Sequence, residues 1–361
     1  MSLENLRDTL SDVDRQIIEL VAERQRIVSE IGRNKRTEGA ATRDYAREKE
    51  VVDKGRAQAN DLGIDPDLAE SILTTLIRSS LASQERDRVV AEGKGDGRSV
   101  LVIGGAGKMG GWFVDFFASQ GFDVAIADAT VEDGPGRFRN WTDAGVDYDV
   151  IVVATPLAVS GRILAQLAVL KPTGLVFDIG SLKTPLIDGL HELVNAGCQA
   201  TSIHPMFGPD TRLLSGRHLI ICDAGSPEAT AAARELFDST MVEQLEMGLD
   251  EHDRHIAYVL GLSHALNIAF FTALAESGEA APALARMSST TFDSQLLVSS
   301  DVAHDNPHLY FEIQNLNRFG LGPLDALVDA SQRIREVVAK GDEQGFVDLM
   351  LNGREYLALR S

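Results

Sequence analysis

A short apolar strand that runs directly into a glycine-rich loop restricts the fold of this chain more than any other feature. Val100-Leu101-Val102-Ile103 reads as a strand, and Gly104-Gly105-Ala106-Gly107-Lys108-Met109-Gly110 follows at once. The spacing Gly105-x-Gly107-x-x-Gly110 is typical of the first turn of a dinucleotide-binding domain, where a helix N-terminus faces the pyrophosphate. It therefore predicts a doubly wound α/β Rossmann domain that begins near Ser99, although a glycine turn without a ligand is the alternative.

An acidic residue at the end of the next predicted strand specifies the cofactor. Asp128 closes Ala125-Ile126-Ala127-Asp128, and a carboxylate there binds ribose hydroxyls and repels a 2′-phosphate. NAD is therefore expected rather than NADP. Thr155 and Pro156 follow a later strand, where a nicotinamide ring would rest. The predicted cofactor-binding residues are Gly105, Ala106, Gly107, Lys108, Met109, Gly110, Asp128, Thr155 and Pro156.

Segments of different pattern flank this domain and predict a multidomain chain. Strands are expected at 99–103, 123–127, 149–154, 174–179, 199–203, 217–222 and 241–246, alternating with helices, which indicates a mostly parallel sheet. Residues 1–91 read as an all-α three-helix domain, with one long first helix, a second over 44–60 and a third from Pro66 to about Val89. Residues 92–98 read as a flexible linker, 99–247 as the Rossmann domain and 248–361 as an all-α domain.

The charge balance excludes two classes of partner. There are 54 Asp and Glu against 34 Lys and Arg, for a net charge of −20, so binding to nucleic acid or to an anionic membrane is not expected. Lysine makes up only 8 of the basic residues. An acidic, lysine-poor surface suits a salt-rich cytoplasm, as in a halophile, and an ordinary acidic protein is the alternative.

Other features indicate a reducing, cytoplasmic location. Cys198 and Cys222 have no metal-ligand spacing and read as core thiols, so no metal is predicted. No signal peptide is visible before the first charged helix. The longest apolar run, 256–275, contains Ser263, His264 and Asn267, and we interpret it as a buried helix rather than a membrane span.

Polar residues interrupt the apolar face of the first helix. Arg24 and Lys35 lie on its apolar stripe, whereas Arg7 lies one residue off it and points elsewhere, toward a partner chain. Unpaired buried cations are costly. The pattern therefore fits either a salt-bridged dimerisation arm or a pocket for a small dianion. The other polar residues facing this bundle are Asp44, Arg47, Glu48, Ser80 and Gln84.

These residues resemble, in order and spacing, the ligand-binding set of the all-helical chorismate mutases. The resemblance covers residues 1–91 and implies a domain-swapped dimer that converts chorismate to prephenate. It implies that Arg7 from the partner chain, Arg24 and Arg47 hold the carboxylates of the substrate. By the same resemblance, Lys35 and Gln84 bind its ether oxygen and Asp44 and Glu48 meet its ring hydroxyl, with Ser80 also in the set.

A second group of polar residues follows later strands of the predicted sheet. His204 opens the heptad His-Pro-Met-Phe-Gly-Pro-Asp after the strand 199–203, and Ser181 follows the strand before it. Chemistry in parallel sheets sits at the carboxyl ends of the strands. A histidine there could transfer a proton or could merely cap the strand, and both interpretations stay open.

This second group resembles prephenate dehydrogenase, over the chain from about Ser99 onward. The resemblance implies NAD-dependent oxidative decarboxylation of prephenate to 4-hydroxyphenylpyruvate, with His204 taking the hydroxyl proton and Ser181 orienting that hydroxyl. His264 is implied in substrate binding, and the last domain in forming a homodimer. Asp293 stands where the family usually has an arginine for the ring carboxylate, and Arg286 and Arg318 are the candidate substitutes.

Together the two resemblances indicate a fused chorismate mutase–prephenate dehydrogenase of tyrosine biosynthesis, whose substrates are chorismate and prephenate. Three alternatives remain: an arogenate dehydrogenase, a dehydrogenase for another small acid whose helical arm only dimerises, and a ligand-sensing module on a degenerate nucleotide domain.

Overall fold

The computed structural model describes residues 2–359. The chain forms two compact units. The first comprises the residues up to Thr155, Ile163–Ile179 and Leu190–Glu246. The second comprises Pro156–Arg162, Gly180–Gly189 and the residues from Met247 onward. The N-terminal helices and the sheet therefore belong to one unit.

Three helices form the N-terminal part, and local signals set their ends. They are α1 (Leu3–Thr37), α2 (Tyr45–Leu62) and α3 (Pro66–Glu92). Asp44 caps α2 by accepting a hydrogen bond from the Arg47 N–H. Asp65 caps α3 ahead of a proline at its first position, as predicted from the sequence. Gly63 ends α2 at a φ of 70°, a conformation that favours glycine.

A row of apolar side chains along the first part of α1 lies open to solvent in the single chain. Leu6, Leu10, Val13, Ile17 and Leu20 are between 44 and 69 % exposed. Side chains of this size stabilise a fold only when they are removed from water. Exposed apolar rows of this length are commonly contact surfaces.

The sheet has eight strands in the order β3-β2-β1-β4-β5-β6-β7-β8. Every pair recorded from β3 to β6 is parallel, and β7 runs antiparallel to β6. The doubly wound sheet was predicted; the short β3 was not, because two residues carry no readable alternation. The strands are β1 (Ser99–Ile103), β2 (Asp123–Ala127), β3 (Arg137–Phe138), β4 (Val150–Val153), β5 (Leu175–Asp178), β6 (Ala200–Pro205), β7 (His218–Asp223) and β8 (Glu243–Gly248).

Helices connect these strands, and an aromatic core fills one side of the sheet. Phe113, Phe117 and Phe177 are fully buried in it, and Phe116 stacks on Phe237 with ring centroids 5.0 Å apart. Val89 of α3 belongs to the same core, so the third N-terminal helix packs on the sheet unit. The connecting helices are α4 (Lys108–Ser119), α5 (Leu157–Leu170), α6 (Ile187–Asn195) and α7 (Pro227–Glu235).

The segment predicted as a flexible linker is packed. The Gly95 N–H donates to the Gln120 carbonyl at 3.0 Å, and the Gly97 N–H to the Gly121 carbonyl at 3.3 Å. A Cβ on Gly95 would lie 2.2 Å from the Gly121 carbonyl carbon. The glycines therefore allow two backbones to approach closely, and they do not supply freedom of movement as we had expected.

The second unit is largely helical, as predicted. Its helices are α8 (Leu249–Ile256), α9 (Ser263–Glu276), α10 (Ala281–Arg286), α11 (Thr290–His304), α12 (Pro307–Leu316), α13 (Leu321–Lys340) and α14 (Glu343–Ala358). A π-helical stretch, Ala257–Leu262, joins α8 to α9.

The apolar stretch from α8 to α9 was predicted to be buried, and that prediction is wrong for the single chain. Only 22 % of its most apolar window is buried. Leu249–Glu276 is the one helix in residues 2–359 whose length and composition would suffice to cross a membrane, which by itself is weak evidence for a membrane span. Composition identified the apolar residues correctly, but it could not show which chain covers them.

Candidate active sites

The glycine loop has the backbone geometry of a phosphate cradle. Gly104 has a φ of +89°, and a Cβ on Gly110 would lie 2.1 Å from the Gly104 carbonyl oxygen. At Gly107 the nearest atom to such a Cβ is at 3.2 Å, so this position is the more open one. Gly107 also precedes α4 without a side-chain cap. The first N–H groups of α4, including those of Lys108 and Met109, are thus available to an anion.

Asp128 lies beside this loop. One carboxylate oxygen accepts from the Ala106 N–H at 3.3 Å, and the other accepts from the Thr130 N–H at 2.9 Å and hydroxyl at 2.7 Å. These bonds hold the carboxylate at the end of β2, where a ribose would lie. Thr155 and Pro156 follow β4, with Thr155 half-buried and Pro156 exposed. The loop and Asp128 together fit a dinucleotide.

His204 lies at the end of β6, next to Pro205, and is 5 % exposed. In the antiparallel pairing with β7 it lies opposite Ile220. Asp178 closes the neighbouring parallel strand β5 and is fully buried. Both side chains therefore stand at the carboxyl edge of the sheet, the edge that binds ligands in such folds.

Ser181, in the second unit, precedes a segment that Asp253 holds in place. The carboxylate of Asp253 accepts from the Lys183 N–H at 2.8 Å, the Thr184 hydroxyl at 2.6 Å and His252 Nδ1 at 2.8 Å. Burial alone would raise the pKa of Asp253, but these hydrogen bonds outweigh it and lower the pKa. The Ser181 hydroxyl oxygen is buried and has no hydrogen-bond partner among the described residues.

His264 opens α9 and stacks on Tyr310, with ring centroids 4.1 Å apart. Its Nδ1 is buried without a partner among residues 2–359. Burial lowers the pKa of His264, an effect that Asp305 opposes. Burial and the same carboxylate raise the pKa of Tyr310 to about 12. The stacked pair thus keeps a neutral histidine with an open hydrogen-bonding atom.

The structure gives the two candidate arginines different surroundings. Arg318 forms an ion pair with Asp250 and lies over the ring of Phe319. Arg286 is in the last turn of α10 and is exposed. Asp293 accepts a hydrogen bond from the Ser288 hydroxyl.

In the N-terminal helices the structure brings three of the predicted ligand residues to one face of α3. Arg24 donates to the Ser80 hydroxyl and, at 3.1 Å, to the Leu76 carbonyl. Burial lowers the pKa of Arg24. Gln84 donates to the Val28 carbonyl at 3.3 Å, while its amide oxygen is buried with no partner in the described part of the chain. The two α3 side chains, Ser80 and Gln84, thus face α1 together.

The other predicted mutase residues have separate contacts. Lys35 donates to the Thr42 carbonyl at 2.9 Å. Arg47 is exposed and pairs with Glu50, and Asp44 caps α2. Arg7 is exposed near the start of α1, like its neighbours, and its role in another chain's site stays a prediction. No recorded contact joins these residues to the Arg24 face, so their convergence stays a prediction.

Comparison with known proteins identifies both halves. Residues 6–85 match the family of type II chorismate mutases. Residues 129–243 match the nucleotide-binding domain of prephenate dehydrogenase, and residues 249–352 its dimerization domain. The glycine loop and Asp128 lie just before the second matched range. The chain belongs to the fused chorismate mutase–prephenate dehydrogenase family.

Relatives and a solved structure agree with this family. The T-protein of Enterobacter agglomerans is 28 % identical over 96 % of this chain and 90 % of that protein. The T-protein of Haemophilus influenzae is 25 % identical over 98 % of this chain and 92 % of that protein. Prephenate dehydrogenase from A. aeolicus, solved with hydroxyphenyl propionate and NAD⁺, matches 73 % of this chain and 98 % of its own at a TM-score of 0.56 and 16 % identity, which supports the fold.

These matches confirm the predicted fold class, the two enzymes and the nucleotide-binding domain of this chorismate mutase–prephenate dehydrogenase. The roles of individual residues stay predictions.

Sequence reasoning missed several residues that build the sites. Arg43 binds Glu48 through two nitrogens, at 2.9 and 3.0 Å, so a predicted substrate residue already has a cationic partner. Gly32 is buried and leaves room for Gln84. A Cβ added at position 32 would lie 3.1 Å from the Gln84 Cγ. The signal for Gly32 was available, because a glycine inside a helix needs a packing reason. Arg43 gave none, since an arginine before a helix is ordinarily solvated.

Proposed function

We propose that the chain catalyses two consecutive reactions, chorismate to prephenate and then prephenate to 4-hydroxyphenylpyruvate with reduction of NAD⁺. One observation carries the residue assignment. Three predicted substrate-binding residues, Gln84, Ser181 and His264, each keep a buried polar atom without a partner among the described residues. Such atoms cost about 1–3 kcal/mol each unless water or a ligand supplies the missing bond, and at these three positions a substrate is expected to supply it.

The first reaction needs residues that position the substrate and stabilise charge, and it needs no general acid or base. A [3,3] rearrangement requires a compact conformer and stabilisation of charge on the breaking C–O bond. In this proposal Arg24, Arg47 and the Arg7 of a second copy hold the carboxylates. Lys35 and Gln84 bind the ether oxygen. Ser80 orients Arg24 through their hydrogen bond.

The ring hydroxyl of chorismate would meet Asp44 and Glu48. Asp44 uses one oxygen to cap α2, and its other oxygen remains for the substrate. Glu48 is held by Arg43 on both oxygens. Each carboxylate oxygen has a second acceptor site, so Glu48 can bind a hydroxyl while Arg43 fixes its orientation.

The second reaction combines hydride removal with loss of CO₂. Bound NAD⁺ supplies a hydride acceptor. His204 accepts the proton of the ring hydroxyl as the carbonyl forms, and Ser181 donates a hydrogen bond that orients this oxygen. His264 contacts the substrate from α9. Loss of CO₂ leaves its electron pair in the ring, which becomes aromatic, and the phenolate oxygen then takes the proton back from His204. The residues therefore need only align the substrate and hold one proton between these two steps.

The cofactor is NAD in this proposal, because Asp128 stands where a 2′-phosphate would be repelled. Gly105, Ala106 and Gly107, with Lys108, Met109 and Gly110, form the pyrophosphate cradle. Thr155 and Pro156 support the nicotinamide.

We propose that the protein works as a homodimer in the cytoplasm. The exposed apolar row of α1 and the exposed apolar stretch of α8 and α9 are the surfaces that a second copy would cover. We place the domains at 1–91, 99–247 and 248–361, which contain the matched ranges 6–85, 129–243 and 249–352.

Arogenate, the amino analogue of prephenate, is the second candidate substrate. Asp293 bears on this choice, because arogenate carries an ammonium group where prephenate has a side-chain keto oxygen, and the negative charge of Asp293 would attract that extra positive charge. The ratio of kcat/KM for the two substrates decides, and a ratio in favour of arogenate would replace prephenate in this proposal.

Replacing His204 with glutamine tests the dehydrogenase assignment. We expect prephenate oxidation to fall by about 10²-fold or more, with chorismate mutase activity and NAD⁺ binding retained. His218→Gln is the matched control, since His218 is about half exposed at the start of the next strand and pairs only with Glu243. Equal NADH production by the His204 and His218 variants would refute the role of His204.

A further inference from the structure

The chain segment after His204 lies where the dehydrogenase chemistry is proposed to occur. Met206–Arg217, here called the 206–217 loop, joins β6 to β7 without regular helix or strand. It leaves β6 at the carboxyl edge of the parallel strands, the edge that binds nucleotide and substrate. Its internal hydrogen bonds are short turns, such as the Arg217 N–H to the Leu214 carbonyl at 2.8 Å. A loop of this kind needs outside contacts to hold one conformation.

One outside contact comes from α3, a helix of the chorismate mutase domain. Glu85 is 3 % exposed. One of its oxygens accepts from the Leu214 N–H at 2.7 Å, and the other accepts from the Met241 N–H at 2.5 Å. Burial raises the pKa of Glu85, while the two N–H groups and Arg88 oppose that rise. Burying a carboxylate at this depth costs free energy unless hydrogen bonds compensate for the lost water.

Two further contacts hold the same loop. Arg43, which precedes α2, donates to the Ser215 hydroxyl at 2.8 Å. Trp112 of α4 donates from its indole nitrogen to the Thr211 carbonyl at 3.1 Å. Two of these contacts therefore come from the mutase domain, and they reach adjacent residues, Leu214 and Ser215.

Helix α3 presents two faces with different tasks. Ser80 and Gln84 face α1 and belong to the predicted chorismate site. Leu81 and Glu85, one residue further along in each case, are also buried, and Glu85 reaches the loop. Because one residue corresponds to about 100° around a helix, the two faces are distinct. Val89 then anchors the end of α3 in the core of the sheet unit.

We propose that Glu85 is a positioning residue for the dehydrogenase: through Leu214 it holds the 206–217 loop in the conformation that admits prephenate beside His204. This inference rests on the proposed role of His204. In this proposal a residue on a helix of the mutase domain contributes to the second reaction. The contact between α3 and the nucleotide-binding domain would then have a functional role.

Glu85→Gln tests this proposal, with Glu92→Gln as the matched control. Glutamine has nearly the same shape but offers one acceptor to two N–H donors. Glu92 lies on the same helix, is exposed and pairs with Arg88. We expect the Glu85 variant to raise KM for prephenate about tenfold while kcat changes less than about twofold, with mutase kcat/KM unchanged. The Glu92 variant should match the wild type in every measurement.

Limited trypsin digestion measures how readily the 206–217 loop opens. Arg212 is an exposed residue within it. We expect cleavage after Arg212 to be about tenfold faster in Glu85→Gln than in Glu92→Gln, because local opening becomes easier. Ser215→Ala, which removes only the contact with Arg43, should accelerate cleavage in the same direction and carries the test if Glu85→Gln does not fold.

Equal cleavage rates and equal KM in the Glu85 and Glu92 variants would overturn the proposal. With an unfolded Glu85 variant, a Ser215→Ala loop as resistant as the wild type would also overturn it. Failure of the wild type to oxidise prephenate would instead refute the proposed function, while the digestion, which needs no catalysis, would still report on the support of the loop.

Discussion

In our proposal, Asp128 selects NAD⁺ over NADP⁺ through its carboxylate. Its oxygens are fixed by Ala106 and Thr130, so the negative charge cannot turn away from an incoming phosphate. We expect Asp128→Ser to weaken NAD⁺ and to admit NADP⁺, shifting the ratio of kcat/KM for the two cofactors by about 10-fold or more. Asp123→Asn, at the exposed start of the same strand, is the control. An unchanged cofactor ratio in the Asp128 variant would contradict the assignment.

His264 gives the fold a defined dependence on pH. Burial lowers the pKa of His264, so the folded state binds its proton less readily than the unfolded state. The stability that this neutral histidine contributes is present above the unfolded pKa and is lost as pH falls through the lowered folded pKa. The free energy of unfolding of the wild type should therefore drop as the pH is lowered from about 7.5 through the range in which an unfolded histidine titrates.

Urea denaturation of two variants isolates this effect. His264→Phe can still stack on Tyr310 but cannot titrate, so its stability should fall less over that range than the stability of the wild type. His255→Gln changes an exposed histidine of α8 and should keep the wild-type dependence. A Phe variant whose stability follows the wild type at every pH would rule out His264 as the source.

The turn between β1 and α4 works as a unit because its glycines allow close approach. A Cβ on Gly110 would meet the Gly104 carbonyl oxygen at 2.1 Å, whereas a Cβ on the next residue, Gly111, would find its nearest neighbour at 3.8 Å. We expect Gly110→Ala to abolish NAD⁺ binding and prephenate oxidation while chorismate turnover continues. Gly111→Ala should bind NAD⁺ normally. Titration of each variant with NAD⁺ by calorimetry measures the difference, and equal affinities would contradict the cradle.

Elements with a local signal could be predicted from the sequence. Asp44, Asp65 and Pro66 mark helix starts through capping chemistry, which depends on a few neighbouring residues. The strands of the sheet are short apolar runs that stand out against polar turns. The carboxyl edge of the sheet, and hence His204, followed from the order of those strands.

Elements that depend on distant parts of the chain could not be predicted. Glu85 looks like one more surface carboxylate on a helix, because its partners Leu214 and Met241 lie far away in sequence. The glycines after α3 read as a flexible linker, although they serve packing. The pairing of Glu48 with Arg43 likewise could not be predicted, and it changes the surroundings of a residue whose substrate-binding role stays a prediction.

The whole molecule requires a second copy if Arg7 completes the partner's chorismate site. Arg7→Ala and Lys35→Ala should each lose most mutase activity, by about 10²-fold. In a mixed dimer, one site has both residues and the other has neither. Equal amounts of the two variants, unfolded and refolded together, should therefore recover about one quarter of the wild-type turnover by random pairing.

The control for this mixture is each variant refolded alone, which should stay inactive. Lys54→Ala, at an exposed lysine that pairs with Glu50, should be fully active and shows that loss of a lysine charge is not itself harmful. A mixture as inactive as its components would place Arg7 and Lys35 in the same chain's site or outside the site altogether.

Our central claim is that one chain carries out both reactions in sequence. The most direct measurement supplies purified protein with chorismate, with and without NAD⁺, and follows chorismate, prephenate, 4-hydroxyphenylpyruvate and NADH. Without NAD⁺ we expect prephenate to accumulate; with it we expect NADH and 4-hydroxyphenylpyruvate in equal amounts. Consumption of chorismate without NADH formation, or NADH formation only from added prephenate, would contradict the claim.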